Sequence, residues 1–255
     1  MTESQYFLDK ILLGAMDLPR KWHFQPLEIV FTMASPIALS HPWIHLDGLI
    51  SHLALRKLLG YDYFLLPSKF PIGRLMKDVE IPYLPYRSAG LIPQCSISFF
   101  EPSIMKSEKM YKKAEIAWLG KLKKLYQGSG HFKAYVMHHI YVPASKIRFY
   151  IVGDIEGLRQ MLDEVVSLGD NTRIGWGRVL KYEINPIDED RSIVWNGKAQ
   201  RPIPVRFCKK YSDSFVLTWR SPYWSSDFEE RCVPPLADVE LLPETLELMR
   251  LDNGK

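Results

Sequence analysis

Two stretches of the chain carry side chains suited to holding an anion or a base. The first is SLGDNTRIGWGRVLKYEI, Ser167 to Ile184, which packs two arginines, two glycines and a tryptophan into Arg173 to Arg178. Glycine has no Cβ, so Gly175 and Gly177 would let a nucleic-acid backbone approach closely. Arg173 and Arg178 would then hold phosphates, and Trp176 would stack on a base. The alternative is a tight bend whose tryptophan fills the core. The second stretch is a lysine run. Lys106, Lys109, Lys112, Lys113, Lys121, Lys123 and Lys124 stand against two glutamates, with Tyr111 and Trp118 interleaved. Such a run tracks a phosphate backbone or covers a solvated helix face.

Other chemistries find less support. A phosphate-binding glycine loop of the nucleotide-binding folds follows a strand and opens a helix. Here the expected order is helix, loop, strand, and no Gly-Lys-Ser/Thr is present. That disfavours triphosphate and dinucleotide binding. His41 and His45 are four apart, but Pro42 lies between them, so a helical metal-ligand pair is poorly supported. His138 and His139 are adjacent in an expected strand, so they point to opposite faces. His131 beside Lys133 and Tyr135 is a conceivable acid–base set for metal-free RNA cleavage. No GxSxG, HExxH or paired-carboxylate signature occurs.

These groups need elements to position them. Leu27 to Ala34 reads as a strand. A helix is expected after it, with Asp47 as N-cap, Leu49, Ile50, Leu53 and Leu58 on one face, and Gly60 at its end. Met1 to Arg20 reads as a short leader helix. The chain from Tyr61 to Pro102 is proline-rich and aromatic, with a strand expected over Ser96 to Phe100. Strands are expected over His131 to Val142 and Lys146 to Val152. Asp154 caps a second helix, carried by Ile155, Leu158, Met161, Leu162 and Val165 and ended by Gly169. The glycine loop and a strand from Arg178 to Ile184 follow. That βαββαβ order predicts an α+β, ferredoxin-like or RRM-like domain over residues 1–184, with a basic insertion at about 61–130. Residues 185–255 read as a β-leaning C-terminal extension packed on it.

Bulk properties fit a globular protein. The 255 residues are 47% hydrophobic and 24% charged, with a net charge of +4. The charge is uneven: residues 106–124 carry about +5 and residues 227–251 about −5. Cys95, Cys208 and Cys232 are scattered and odd in number, which suits a reducing cytoplasm better than a disulfide framework. No signal-peptide pattern and no membrane-spanning run is evident.

Three segments, SPIALSHPWIHLDGLISHLALRKLLG, LPSKFPIG and NTRIGWGRV, together resemble the RAMP superfamily of CRISPR effector proteins. More narrowly, they resemble the Cas-five-like subunit that caps the guide-RNA handle in type IV CRISPR-Cas complexes. The resemblance implies a RAMP domain that binds the five-prime handle of the guide RNA, without cofactor, metal or chemistry of its own. It implies as partners a RAMP backbone subunit and the large subunit, with the duplex DNA flanking the target as a further candidate. Gly175 and Gly177 correspond to the glycine-loop positions; Trp43, Asp47 and Gly48 correspond to the first-helix motif, whose role is chiefly structural. The insert from Lys69 to Lys124, with Lys69 and Arg74 at its head, corresponds in place to a protruding thumb. The alternatives are a metal-independent endoribonuclease acting on precursor guide RNA, and a non-catalytic protein scaffold.

Overall fold

The structure, a computed structural model, describes residues 22–65, 84–112, 128, 133–223 and 226–250. The expected leader helix, and Lys69, Arg74, Lys113, Lys121, Lys123, Lys124 and His131, lie outside the described residues.

The chain opens with β1 (Gln25–Met33), where Leu27, Ile29, Phe31 and Met33 alternate inward. A period of two buries one face of a strand. Next come β2 (Ile37–Ala38), α1 (Leu46–Leu59), β3 (Ser88–Ala89), β4 (Ile92–Pro93), β5 (Phe99–Glu101), β6 (Lys106–Lys112), β7 (Tyr135–Val142), β8 (Lys146–Gly153), α2 (Ile155–Leu162) and β9 (Val179–Pro186). One antiparallel sheet runs β5–β8–β1–β9. Its register places Ile29 opposite Phe149 on one side and Ile184 on the other. Both helices lie on one face, where Ile50, Leu53, Leu158 and Met161 join Leu27, Phe31 and Phe149 in a single core. Phe31 meets Phe149 edge to face at 5.9 Å.

The other face of this sheet is occupied by its own side chains. Arg148 reaches Glu28 at 2.9 Å and Glu101 at 2.6 Å. Phe99 leans on Tyr150 at 5.7 Å, and Arg191, from beyond β9, sits over Tyr150 at 5.8 Å.

Several expected boundaries are corrected. Asp47 is not the N-cap of α1: His45 holds that position, and Asp47 lies buried inside the first turn. The second helix stops at Leu162 instead of continuing to Gly169. Its cap is as expected, because the Asp154 carboxylate accepts the Gly157 N–H at 2.8 Å. The strand expected over Ser96 to Phe100 begins only at Phe99. Upstream of it the backbone bonds three different elements in turn: Ser96 to Tyr150, Ile97 to Gln200 and Ser98 to Ile44. Such a path is a connector between layers, not a ladder.

Beyond β9 lie β10 (Val194–Trp195), β11 (Lys198–Ala199), β12 (Ile203–Pro204), β13 (Cys208–Tyr211), β14 (Phe215–Thr218), β15 (Glu229–Val233), β16 (Val239–Leu241) and α3 (Pro243–Met249). They build a second core around Ile193, Ile203, Trp219, Cys232 and Val233. Ala89 and Ile92 of the β3–β4 hairpin are also buried in it. The stretch expected as one insertion is therefore divided: part of it packs beneath the extension, and β6 stands out with β7 as an antiparallel ribbon. Three acids of the tail are paired with basic neighbours. Lys198 pairs with Asp238 at 2.7 Å, Lys209 with Glu240 at 2.6 Å, and Arg206 with Glu230.

Candidate nucleic-acid interface

The glycine loop is built by three left-handed residues. Asn171, Gly175 and Gly177 have φ of 55°, 97° and 64°. The two loop glycines do different work. A Cβ on Gly177 would fall 1.8 Å from the Leu168 carbonyl oxygen, whereas Gly175 has nothing within 4 Å. Gly177 is thus the point where the chain crosses its own preceding turn. Gly175 is the exposed apex, with open space above it.

Several backbone amides of the loop are already engaged. Gly175 N–H donates to Thr172, Gly177 N–H to Pro36 at 2.7 Å, and Arg178 N–H to the Ser35 hydroxyl at 2.9 Å. Ser35 in turn donates to the Gly175 carbonyl at 2.8 Å. Those amides are therefore not free to line a phosphate-binding nest. Positive charge comes from side chains instead. Arg173 and Arg178 are both exposed, and neither forms an ion pair with another described residue.

Trp176 is half-buried, and it is turned toward the ribbon. Its ring lies 5.1 Å from that of Tyr141 and parallel to that of His139 at 6.4 Å. His139 is buried, and its Nδ1 meets the Asn171 side-chain nitrogen at 3.1 Å. The glycine loop and the root of the ribbon thus form one surface. The two sequence features, some fifty residues apart at their nearer ends, meet because β2 pairs with β7, Ala38 lying opposite Tyr141. Asp170 N–H also bonds the Ala38 carbonyl at 2.8 Å.

On the ribbon, Lys106, Lys109 and Lys112 are exposed. They lie on a strand, so the solvated-helix reading is set aside for them. Lys106 opposes Tyr141, Lys109 opposes His138, and Lys112 opposes Tyr135. Lys112 stands over the Tyr135 ring at 5.5 Å. His138 and His139 do take opposite faces, because they follow one another in β7.

The residues of the first-helix motif lie elsewhere, in a node with the extension that the sequence did not disclose. Arg201 is buried and bonds the Pro93 and Cys95 carbonyls at 2.7 and 2.8 Å and the Trp219 carbonyl at 2.6 Å. Its other partners are Tyr223, at 2.9 Å, and Asp47, at 3.4 Å. The Tyr223 hydroxyl donates to Asp47 at 2.7 Å, and burial pushes its pKa well up. His45 stacks on the Tyr223 ring at 3.6 Å and accepts a bond from Trp43 Nε1 at 2.9 Å. Burial, with the Arg201 charge beside it, holds the His45 pKa well below its usual value. A Cβ on Gly48 would sit 3.0 Å from the Tyr223 ring, so glycine lets the helix and that ring approach closely. An acid followed by glycine at a helix start was the one available signal. Nothing local marked Arg201 or Tyr223.

For acid–base chemistry, His52 Nδ1, midway along α1, and the Tyr63 hydroxyl, in the turn that follows it, are 2.9 Å apart. Burial and Arg56 lower the His52 pKa. The Lys133 and Tyr135 set loses its histidine to the region outside the described residues. Among the described residues no group of three or more His, Cys, Asp or Glu could hold a metal ion. No described helix is long and apolar enough to cross a membrane.

No curated protein matches the chain. A family does, over residues 100–233, just over half the length, taking in the ribbon, the glycine loop and most of the extension. On that match the chain belongs to the family of the CRISPR type IV associated protein Csf3.

Proposed function

We propose that this type IV CRISPR subunit binds guide RNA at its five-prime handle and caps the RAMP backbone, without performing chemistry itself. The observation that carries the reading is the junction of glycine loop and ribbon. Exposed Arg173 and Arg178 flank an open Gly175, and Trp176 leads directly to a lysine-bearing, aromatic ribbon. Cations that track phosphates beside rings that stack on bases are what a single-stranded nucleic acid requires.

The order β5–β8–β1–β9, with a helix after β1 and another after β8, supports a ferredoxin-like RAMP domain. RRM domains of that architecture stack bases on the open sheet face. In this chain Arg148, Glu28 and Glu101 are paired there and Arg191 caps Tyr150, which favours the loop and ribbon as the RNA surface. A backbone subunit and the large subunit are the proposed protein partners, with target-flanking duplex DNA as a further one.

The test is filter binding of handle RNA to nuclease-treated wild-type protein and to the Arg173→Ala/Arg178→Ala variant. Weaker, less salt-sensitive binding by the variant is expected. Unchanged affinity would remove the loop from the interface.

A further inference from the structure

We infer that the guide RNA follows one face of the β6–β7 ribbon, the face that Trp176 joins to the glycine loop, and leaves the other face free. The inference rests on the RNA-binding reading above and adds a path to it.

Residues directly opposite in an antiparallel pair share a face. The register therefore puts Lys106, Glu108, Met110 and Lys112 on one side with Tyr141, His139, Met137 and Tyr135. Lys109 and Tyr111 fall on the other side with His138 and Val136. Charge does not choose between them, since Lys106 and Lys112 are offset by Glu108 on the first face and Lys109 stands on the second. Trp176 does choose. Its ring contacts are Tyr141 and His139, both of the first face.

A stripe results, interrupted at the surface by His139, which is buried. It runs from Arg173 and Arg178 through Trp176 and Tyr141 to Met137 and Tyr135, ending under the Lys112 ammonium. Met137 and Tyr135 are 40% and 38% exposed. From Tyr141 to Tyr135 the strand covers about 20 Å, and same-face side chains recur about every 7 Å. An extended single strand can lay successive bases on such a series while its phosphates meet lysine at either end. Tyr111, the more exposed ring and the one its place in the lysine run points to, lies off this path.

The experiment compares two double variants, Tyr135→Ala/Met137→Ala on the first face and Tyr111→Ala/Val136→Ala on the second. Each is titrated against a fluorescein-labelled, mixed-sequence single-stranded RNA by anisotropy, with thermal unfolding as the folding control. All four side chains are solvent-exposed, so both variants should fold. The first should weaken binding roughly fivefold to a hundredfold, the range expected for lost stacking. The second should stay within about twofold of wild type. Equal losses, or a loss confined to the second face, would overturn the path while leaving RNA binding intact. No binding by the wild type would instead overturn the underlying reading, and the path with it.

Discussion

The Asp47 carboxylate and the Arg201 guanidinium face each other 3.4 Å apart, with side-chain exposures of 1% and 0%. One sits on the first helix of the sheet domain, the other between β11 and β12 of the extension. Tyr223 and three backbone carbonyls take up the two terminal guanidinium nitrogens, so the charges are buried with partners, although Arg201 Nε is buried without one.

Removing one partner strands the other. Arg201→Met should destabilise the protein by about 3–5 kcal/mol, and Asp47→Leu/Arg201→Met by clearly less than the sum of the two single changes. Urea unfolding of the singles and the double measures the coupling. Additive costs would mean that the two halves are held by something other than this pair.

The loop glycines should separate cleanly. Gly177→Ala drives a methyl into the Leu168 carbonyl and should cost roughly 3 kcal/mol or more, because backbone strain and a steric clash combine. Gly175→Ala meets open space and carries only the positive-φ strain, about 1–2 kcal/mol. Thermal unfolding ranks them, and a reversed order would contradict the geometry.

The salt response identifies what the loop arginines touch. Each phosphate contact on a single strand contributes about 0.7 to the slope of log affinity against log salt. Arg173→Ala/Arg178→Ala should therefore flatten the slope by about 1.4 if each arginine holds one phosphate. An unchanged slope would place both arginines off the backbone.

His45 makes stability fall in acid. Its folded pKa lies below the ordinary 6.5, so below that pH the unfolded chain takes up a proton that the folded chain refuses. The contribution is complete above pH 6.5 and shrinks as the pH falls, by up to about 1.4 kcal/mol per pH unit. Denaturant unfolding between pH 7 and pH 5 should show this loss, and His45→Phe should lack it. The accepted bond from Trp43 Nε1 agrees with a neutral ring.

Labelled repeat RNA incubated with the protein in EDTA should give no discrete product, and His52→Ala should leave that outcome unchanged. A single cleavage product in EDTA, lost in His52→Ala, would make the His52–Tyr63 pair catalytic and the protein an endoribonuclease.

Local periodicity made much of the sheet domain legible. Leu27 to Ala34 alternates, Ile155 to Leu162 has helical spacing behind an aspartate cap, and Gly60 closes α1 with a φ of 57°. Each signal involves neighbours within a few positions, so one sequence is enough to see it. The residues from Ser96 to Ser98 have strand-like composition but form a connector, because their partners Tyr150, Gln200 and Ile44 are scattered along the chain. The helix expected to reach Gly169 ended at Leu162, where Val165 N–H turns back to the Leu162 carbonyl.

The chemical inventory is legible in the amino-acid order alone: two arginines around a glycine–tryptophan–glycine, a lysine run, and an acid–glycine pair at a helix start. That order could not assign those parts to faces or partners. Whether Lys109 and Lys112 share a side depends on strand or helix, and KSEKMYK has no apolar period to decide it. Pairing with β7 decided it, and that pairing set them on opposite sides. Trp176 was legible as a ring beside glycines, with stacking and core-filling both open. The β2–β7 pairing brought Tyr141 and His139 to it, so that it joins loop to ribbon while remaining half-exposed. Asp47 was legible as a cap and became a buried counter-ion, because Arg201, 154 positions away, needs a carboxylate where no water can reach.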